Sequence, residues 1–524
     1  MMKKRLRQTL LLALAAALLL SCFGCGKQEE SAGETGGTSQ QEEAASNSDG
    51  LFTLNYSASD GLNPYVTTNV WNQTVCQLVY ETLTEVDEAY TAQPRLFTQW
   101  TTENGVDWVF TVDTTRVFHD GHILTAQDAA YSIQCAQNSS LYSARLKAIE
   151  EVAAQEDGTV KVTLSAANTQ LPVLLNIPVI ENNALGSTYP SGTGPYRYGE
   201  GYTSLVQFAD HPDAASMPVD TIYLKEYTSM EEIINAFDDK LLDLVLNDPT
   251  SDVDLSFSSV NETRQYSTTN LQYVGFNTNS SFFLNSAYRS ALRCAIDRAY
   301  AVSLLGDAAV ATALPVHPVS PLYNEQLAAT MEYDLDACRT ALDACKVVDY
   351  DGDGKREFMA GETDVQEISL TFLVCSDSAE KAGMAKKIAE DLESLGLSVT
   401  VKALGWDNYC KALSEGKFDL YYGEVKLSAD FDLSALLRAG GSMNYGGVTN
   451  SGYGDVIDAY LAASDDGRQA ACDAMLQYVA DNAPILPVCF EKHEVCTHRG
   501  TVGGFAPTQY NIFYNLTNWT IDLT

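Results

Sequence analysis

The chain has 524 residues, with 32 Lys and Arg against 69 Asp and Glu, a formal net charge of −37. That length exceeds what one hydrophobic core fills and predicts two or three domains. A hydrophobic fraction of 45% supports globular folding, and the acidic surplus repels phosphate backbones, which excludes nucleic acid as a partner. The surface reading is solvated acid, with a modest bias toward cationic ligands.

The N-terminus opens with Lys3, Lys4, Arg5 and Arg7, followed by a run of Leu and Ala over residues 10–20. Basic head, short apolar stretch and small Ser21 predict a signal peptide over residues 1–21. Leu19-Leu20-Ser21-Cys22 resembles a bacterial lipobox, which makes Cys22 the expected lipidation site and gives a lipid anchor to the membrane. A cleaved secretory peptide with a bystander Cys22 is the competing reading. Residues 22–50 are rich in Glu, Ser, Gly, Thr and Gln and cannot bury a core, so they read as a flexible tether. Of the 12 cysteines, ten lie beyond Cys25 without CxxC or zinc spacing, and most read as small buried hydrophobes.

Folded sequence begins near Leu51. A strand is predicted over 51–56, then Leu62-Asn63-Pro64, then a helix over 72–83. Trp108, Phe110 and Val112 alternate with Val109, Thr111 and Asp113, the period of a half-buried strand. A second short strand is predicted over 117–119, and Asp120-Gly121 makes a turn. Thr125 stands three residues before Asp128, a capping-box pair opening a helix whose apolar face is Ala126, Ala129, Ala130 and Ile133. Further on, the pattern predicts strands over 160–164, 218–224 and 242–244, a helix over 231–237, and a crossing strand over 273–277. A helix over 289–299 follows, with Leu292, Ala295, Ile296 and Ala299 as its buried stripe. A strand over 370–374, a helix over 384–395 and a strand over 399–403 make a βαβ-like run. A helix at 470–479 leads to a return crossing at 483–487, and residues 511–522 rejoin the first part of the chain.

Asp349, Asp351 and Asp353 stand as in the start of a calcium loop, where alternate oxygens converge on a hard cation. The twelfth position is Ala360 rather than Glu, so a solvated turn competes. No GxSxG, HExxH, Walker A or GxGxxG is present, and the six His are dispersed without catalytic or metal spacing. No cofactor and no enzymatic activity are expected; a surface hydrolase is the remote alternative.

Several stretches carry a more specific pattern: Phe118-His119-Asp120-Gly121 with Leu124, Thr125, Ala126, Asp128 and Tyr131-Ser132-Ile133; Leu62-Asn63-Pro64 with Tyr80-Glu81; Gly192-Thr193-Gly194-Pro195-Tyr196; and Arg289, Ala291, Leu292 with Ala295-Ile296-Asp297-Arg298. Together they resemble the peptide/nickel-binding family (family 5) of solute-binding proteins of ABC importers. The resemblance implies an α/β, two-lobed periplasmic-binding-protein-like fold (type II) with an additional small domain inserted in the first lobe. Lobe 1 would take residues 51–88, 187–270 and 488–524, the inserted domain 89–186, and lobe 2 271–487. It also implies a peptide held between the lobes, ABC permease subunits as partners, and a monomer on the extracytoplasmic face. By position in relatives, Thr68, Asn69, Val70 and Trp71 line the cleft, with Phe276, Asn277, Trp406, Asn444 and Tyr445 as further candidates. Asp430, in Ala429-Asp430, matches an Asp that pairs with the ligand's amino terminus, since an ammonium leaving water needs a fixed carboxylate. Leu427 stands where relatives have Trp, and Glu424 or Asp432 could take that role. The departure leaves a metal chelate, a sugar or a signalling peptide open as ligand.

Overall fold

Two long antiparallel strands, Asn261–Phe276 and Ile485–His498, carry the fold in a computed structural model that describes residues 50–251 and 255–523. They pair from Asn261 opposite His498 to Gly275 opposite Ile485. Each end of this pair holds one wing of an 11-stranded sheet. At one end Leu244–Asn247 pairs with residues 494–497, and Thr53–Asn55, Thr221–Lys225, Ser204–Gln207 and Tyr196–Tyr198 follow outward. At the other, Leu420–Lys426 pairs with residues 270–276, and Ser369–Cys375 and Ser398–Leu404 follow. Between the wings the ladder slips at Ser267/Leu271 and again at Gln272/Tyr273, irregularities that bend and twist a strand pair. Glu491 sits at this join, 1% exposed, its Oε1 accepting from Gln272 Nε2 at 2.7 Å and its Oε2 from Asn270 Nδ2 at 3.3 Å. The expected signal peptide, Cys22 and nearly all of the expected tether lie outside the described residues.

Side-chain alternation divides the second wing between two cores. Leu370, Phe372 and Val374 face one, with Met384, Ile388 and Leu392 of the helix Ala379–Ser394. Leu373 faces the other, with Tyr421, Phe431 and Tyr460. The first wing shares its core with a separate four-stranded antiparallel sheet, Phe97–Thr102, Asp107–Val112, Thr159–Leu164 and Ile149–Ala154 in that order. Trp108, Phe110 and Val112 are buried in it as the alternation predicts. The helix Ala126–Asn138 starts with the full reciprocal capping box of Thr125 and Asp128.

Several elements differ from the expectation. Residues 117–119 form no strand: a single bridge joins Val117 to Ile123, and the loop closes through Phe118 N–H donating to His122 O at 2.7 Å. The helix predicted over 72–83 is Val70–Val79. Asn69 caps it early by accepting from Trp71 N and Asn72 N. It stops because the backbone beyond Val79 is taken by neighbours: Leu83 N donates to Ile177 O and Val179 N to Glu81 O. Gly192 packs so closely there that a Cβ would stand 2.1 Å from Val79 O.

The helix predicted over 289–299 is two short helices, Ser286–Ser290 and Arg298–Leu305. Leu292, Ala295 and Ile296 are buried as expected, but Ala299 is exposed. Asp297 restarts the helix by accepting from Tyr300 N at 2.9 Å. Buried Arg298 donates to the carbonyls of Thr312, Met331 and Pro487 and so ties the start of this helix to three other segments. The ten described cysteines are free, seven of them buried. Among the described residues no helix is long and apolar enough to cross a membrane.

Candidate functional site

A cavity of about 1210 Å³ opens between three parts of the chain. One wall is the helix Val70–Val79, through Gln73, Cys76 and Gln77, with Gln509, Tyr510 and Asn511 beside it. A second is residues 141–148 together with Asn168 and Asn176. The third is the end of Leu420–Lys426 and the loop that follows, through Lys426, Ser428, Asp430 and Asp432.

Charges of both signs meet here. Asp430 is 1% exposed; its Oδ2 accepts from Asn168 Nδ2 at 2.9 Å, and its Oδ1 from Ser428 Oγ at 2.5 Å and Asp432 N at 3.3 Å. Its own carbonyl accepts from Tyr460 OH at 2.6 Å. The turn is fixed by Phe431, in the left-handed region at φ 52°, whose ring packs edge-on against Tyr90. Burial, and then the charge of Asp432, raise the Asp430 carboxyl above its ordinary range. A group in that position gains from a cation nearby.

Two cations line the same cavity. Arg145 lies over the Tyr142 ring, 5.3 Å from its centroid, and donates through Nη2 to Asn176 O at 2.5 Å. Its Nε is buried without a hydrogen-bond partner among the described residues. Burial lowers the Arg145 guanidinium, and burial and then the Arg145 charge lower the Lys426 ammonium. A ligand anion would relieve both.

At the far end the cavity wall includes Glu81, Arg95 and His211. Glu81 pairs with Arg95 at 2.9 Å and lies 3.5 Å from His211 and 3.7 Å from Arg116. Burial alone would raise its carboxyl, but nearby His211 and the charges of Arg95 and Arg116 outweigh it and hold it below its ordinary value. Asp113, 3.3 Å from Arg116, balances the second arginine, and the network joins the helix end to the four-stranded sheet.

Of the candidate ligand-binding residues named from sequence, Asp430 lines the cavity, as does Asp432; Thr68 to Trp71, Phe276, Asn277, Trp406, Glu424, Asn444 and Tyr445 are not among its lining residues. Thr68 is exposed, its N–H bonded to Asp60. Asn69 is spent on the helix cap, Val70 is 53% exposed, and Trp71 packs against the cluster of Ile233 and Phe237. Because the helix starts at Val70, the face turned to the cavity comes one turn later, at Gln73 and Gln77. Phe276 is fully buried against Phe283, and Asn277 Nδ2 donates to Phe418 O at 2.9 Å. Trp406 is 41% exposed at the start of its own helix, stacked on Tyr409. Glu424 is paired with Lys381. Asn444 braces its loop through Arg438 O and Val448, and Tyr445 packs edge-on against Tyr421. Arg145, Lys426 and Asn168 are missing from the sequence reading, and no periodicity or motif marks them.

The Asp349, Asp351 and Asp353 carboxylates do converge, and buried Glu357 joins them, with oxygens all within 4.8 Å of one another. Gly352 N and Gly354 N donate to Asp349. Glu357 Oε2 accepts from Tyr350 N at 2.8 Å, so the loop is closed by its own backbone.

Residues 91–443, more than half of the chain, match the family described as bacterial extracellular solute-binding proteins, family 5. The chain belongs to that family. It is an extracytoplasmic substrate-binding protein of an ABC importer, a binder and not an enzyme. Among curated relatives it is similar to the oligopeptide-binding protein AppA of Bacillus subtilis, 23% identical over 449 residues, which cover 80% of this chain and 79% of the relative. Among solved structures it is similar to a putative peptide-binding protein AppA from Clostridium difficile, at TM-score 0.69 and 18% identity, over 90% of this chain and 100% of that one. It is also similar to NikZ from Campylobacter jejuni in complex with Ni(L-His), at TM-score 0.63 and 17% identity, over 90% and 99%. At these identities the structural likenesses speak for the periplasmic-binding-protein-like α/β fold of this family 5 protein.

Proposed function

We propose that this protein captures short peptides in the cavity between two lobes and delivers them to an ABC permease. The observation that carries the reading is one cavity with a buried carboxylate, Asp430, and two burial-stressed cations, Arg145 and Lys426. A zwitterion with its charges several bonds apart complements that arrangement; a neutral sugar does not. In this reading Asp430 takes the ligand's ammonium, with Asp432 behind it, and Arg145 and Lys426 take a carboxylate. The volume, about 1210 Å³, exceeds the usual small-molecule site and suits a peptide with its water. The curated Bacillus subtilis relative is named for oligopeptide binding.

The lobes of this reading are the two wings of the large sheet, with boundaries near 51–88, 187–270 and 488–524 for the first and 271–487 for the second. The four-stranded sheet within 89–186 is the inserted domain. The slipped ladder around Ser267 and Leu271 is where the lobes hinge. Cys22 tethers a monomer to the outer face of the membrane.

Calorimetry of the purified chain against mixed peptides of two to six residues tests the proposal. Saturable heat with one or more pools is expected, and no heat with any pool contradicts it. A second reading, a carboxylate-bearing metal chelate, draws on the pair of cations Arg145 and Lys426; Ni(L-His) in the same calorimeter tests it.

A further inference from the structure

We propose that Asp120, His122 and Glu181 form a surface site for a borderline divalent transition metal of the zinc, cobalt or nickel class. His122 Nδ1 stands 2.9 Å from Asp120 Oδ2 and 2.8 Å from Glu181 Oε1, and the three donor atoms lie within 4.8 Å of one another. A ring nitrogen carries at most one proton, pointing in one direction, so it cannot serve two carboxylates with two well-aligned hydrogen bonds. The two carboxylates converge on one imidazole nitrogen. Among the described residues neither pairs with a lysine or arginine, and each has only His122 as its ion-pair partner. One divalent cation between the three atoms satisfies all of them at once.

The donors come from two loops that are fixed independently. On the first, Asp120 Oδ1 accepts from His122 N, Gly121 N donates to Phe118 O, and His119 N donates to Gly192 O at 2.9 Å. On the second, Ala184 N donates to Glu181 O and Asn182 N donates to Asp128 Oδ1 at 2.8 Å. Loops held this way keep their side chains near one another before any metal arrives, which lowers the ordering cost of binding. The donor set chooses the class. Imidazole nitrogen favours zinc, cobalt and nickel over calcium and magnesium, which prefer oxygen alone. Three protein ligands leave at least one position open to water. None of the three residues lines the cavity, so the site stands or falls apart from the peptide reading.

The test is a titration of the chelator-stripped, untagged chain with cobalt(II) chloride, followed by visible absorption. The chain has free cysteines, so the spectrum must separate ligand types. Weak d–d bands saturating at one equivalent, displaced by zinc, without a near-ultraviolet thiolate band, are expected. His122→Asn and Glu181→Gln should each weaken the binding by about tenfold or more. Both are surface changes that leave the core intact. The proposal is overturned by no saturable binding, by a thiolate band accompanying the bound cobalt, or by variants that titrate like the parent chain.

Discussion

Glu491→Gln should stabilise the protein at alkaline pH and do less at acid pH. Glu491 lies at the join of the two wings, and burial first, then the charge of Glu424, raise its carboxyl from 4.5 to about 7; the Lys381 charge and the Gln272 hydrogen bond oppose this without cancelling it. A raised carboxyl means that the folded chain holds the proton more tightly than the unfolded chain does. Folding is therefore unpenalised below the unfolded value of 4.5, and stability falls as pH rises from there to about 7. Above that range the full penalty is about 3 kcal/mol. Gln at this position is never charged, keeps an acceptor for Gln272, and lets Asn270 turn its amide oxygen toward the new NH₂. Urea unfolding of both chains at about pH 5.5 and about pH 8 should show the advantage of the variant growing by about 2 kcal/mol between the two. Groups that titrate equally in both chains cancel in that difference. An advantage of the same size at both pH values would refute the assignment of a buried, proton-holding carboxyl.

Other perturbations follow from the same geometry. Arg145→Ala should weaken peptides with a free carboxylate by about 1.5–3 kcal/mol in calorimetry and spare C-terminal amides. Gly192→Ala should destabilise the chain by about 1–3 kcal/mol in thermal unfolding, because its Cβ would stand 2.1 Å from Val79 O. Thr125→Ala should cost about 1 kcal/mol through loss of the capping box, seen as a lower urea midpoint with an unchanged slope.

Local chemistry was readable along the chain, and long-range convergence was not. The alternation of Trp108, Phe110 and Val112 and the Thr125/Asp128 box are contained in a few residues each, and the fold uses them as written. The split between Ser290 and Arg298 was hidden because a buried stripe of Leu292, Ala295 and Ile296 looks the same in one helix or in packed turns. The Asp297 cap and the carbonyls that Arg298 binds, on Thr312, Met331 and Pro487, fix where the second helix starts. The cavity was hardest. Arg145, Asn168 and Lys426 each look like ordinary surface residues, and their meaning comes from the tertiary approach of segments far apart in the chain. His122 shows no metal spacing for the same reason: Glu181, beside it in the fold, is on another loop. Asp430, which the family resemblance singles out, lines the cavity, while the Thr68 to Trp71 stretch stands one helical turn short of its wall.

The central claim is that Asp430 fixes a ligand ammonium inside the cavity. Calorimetry of the parent chain and Asp430→Asn, with one peptide in free-amine and N-acetylated forms, tests it most directly. A large loss of affinity for the free amine, with the acetylated form bound equally by both chains, is the predicted result. Equal losses for the two forms would contradict the claim.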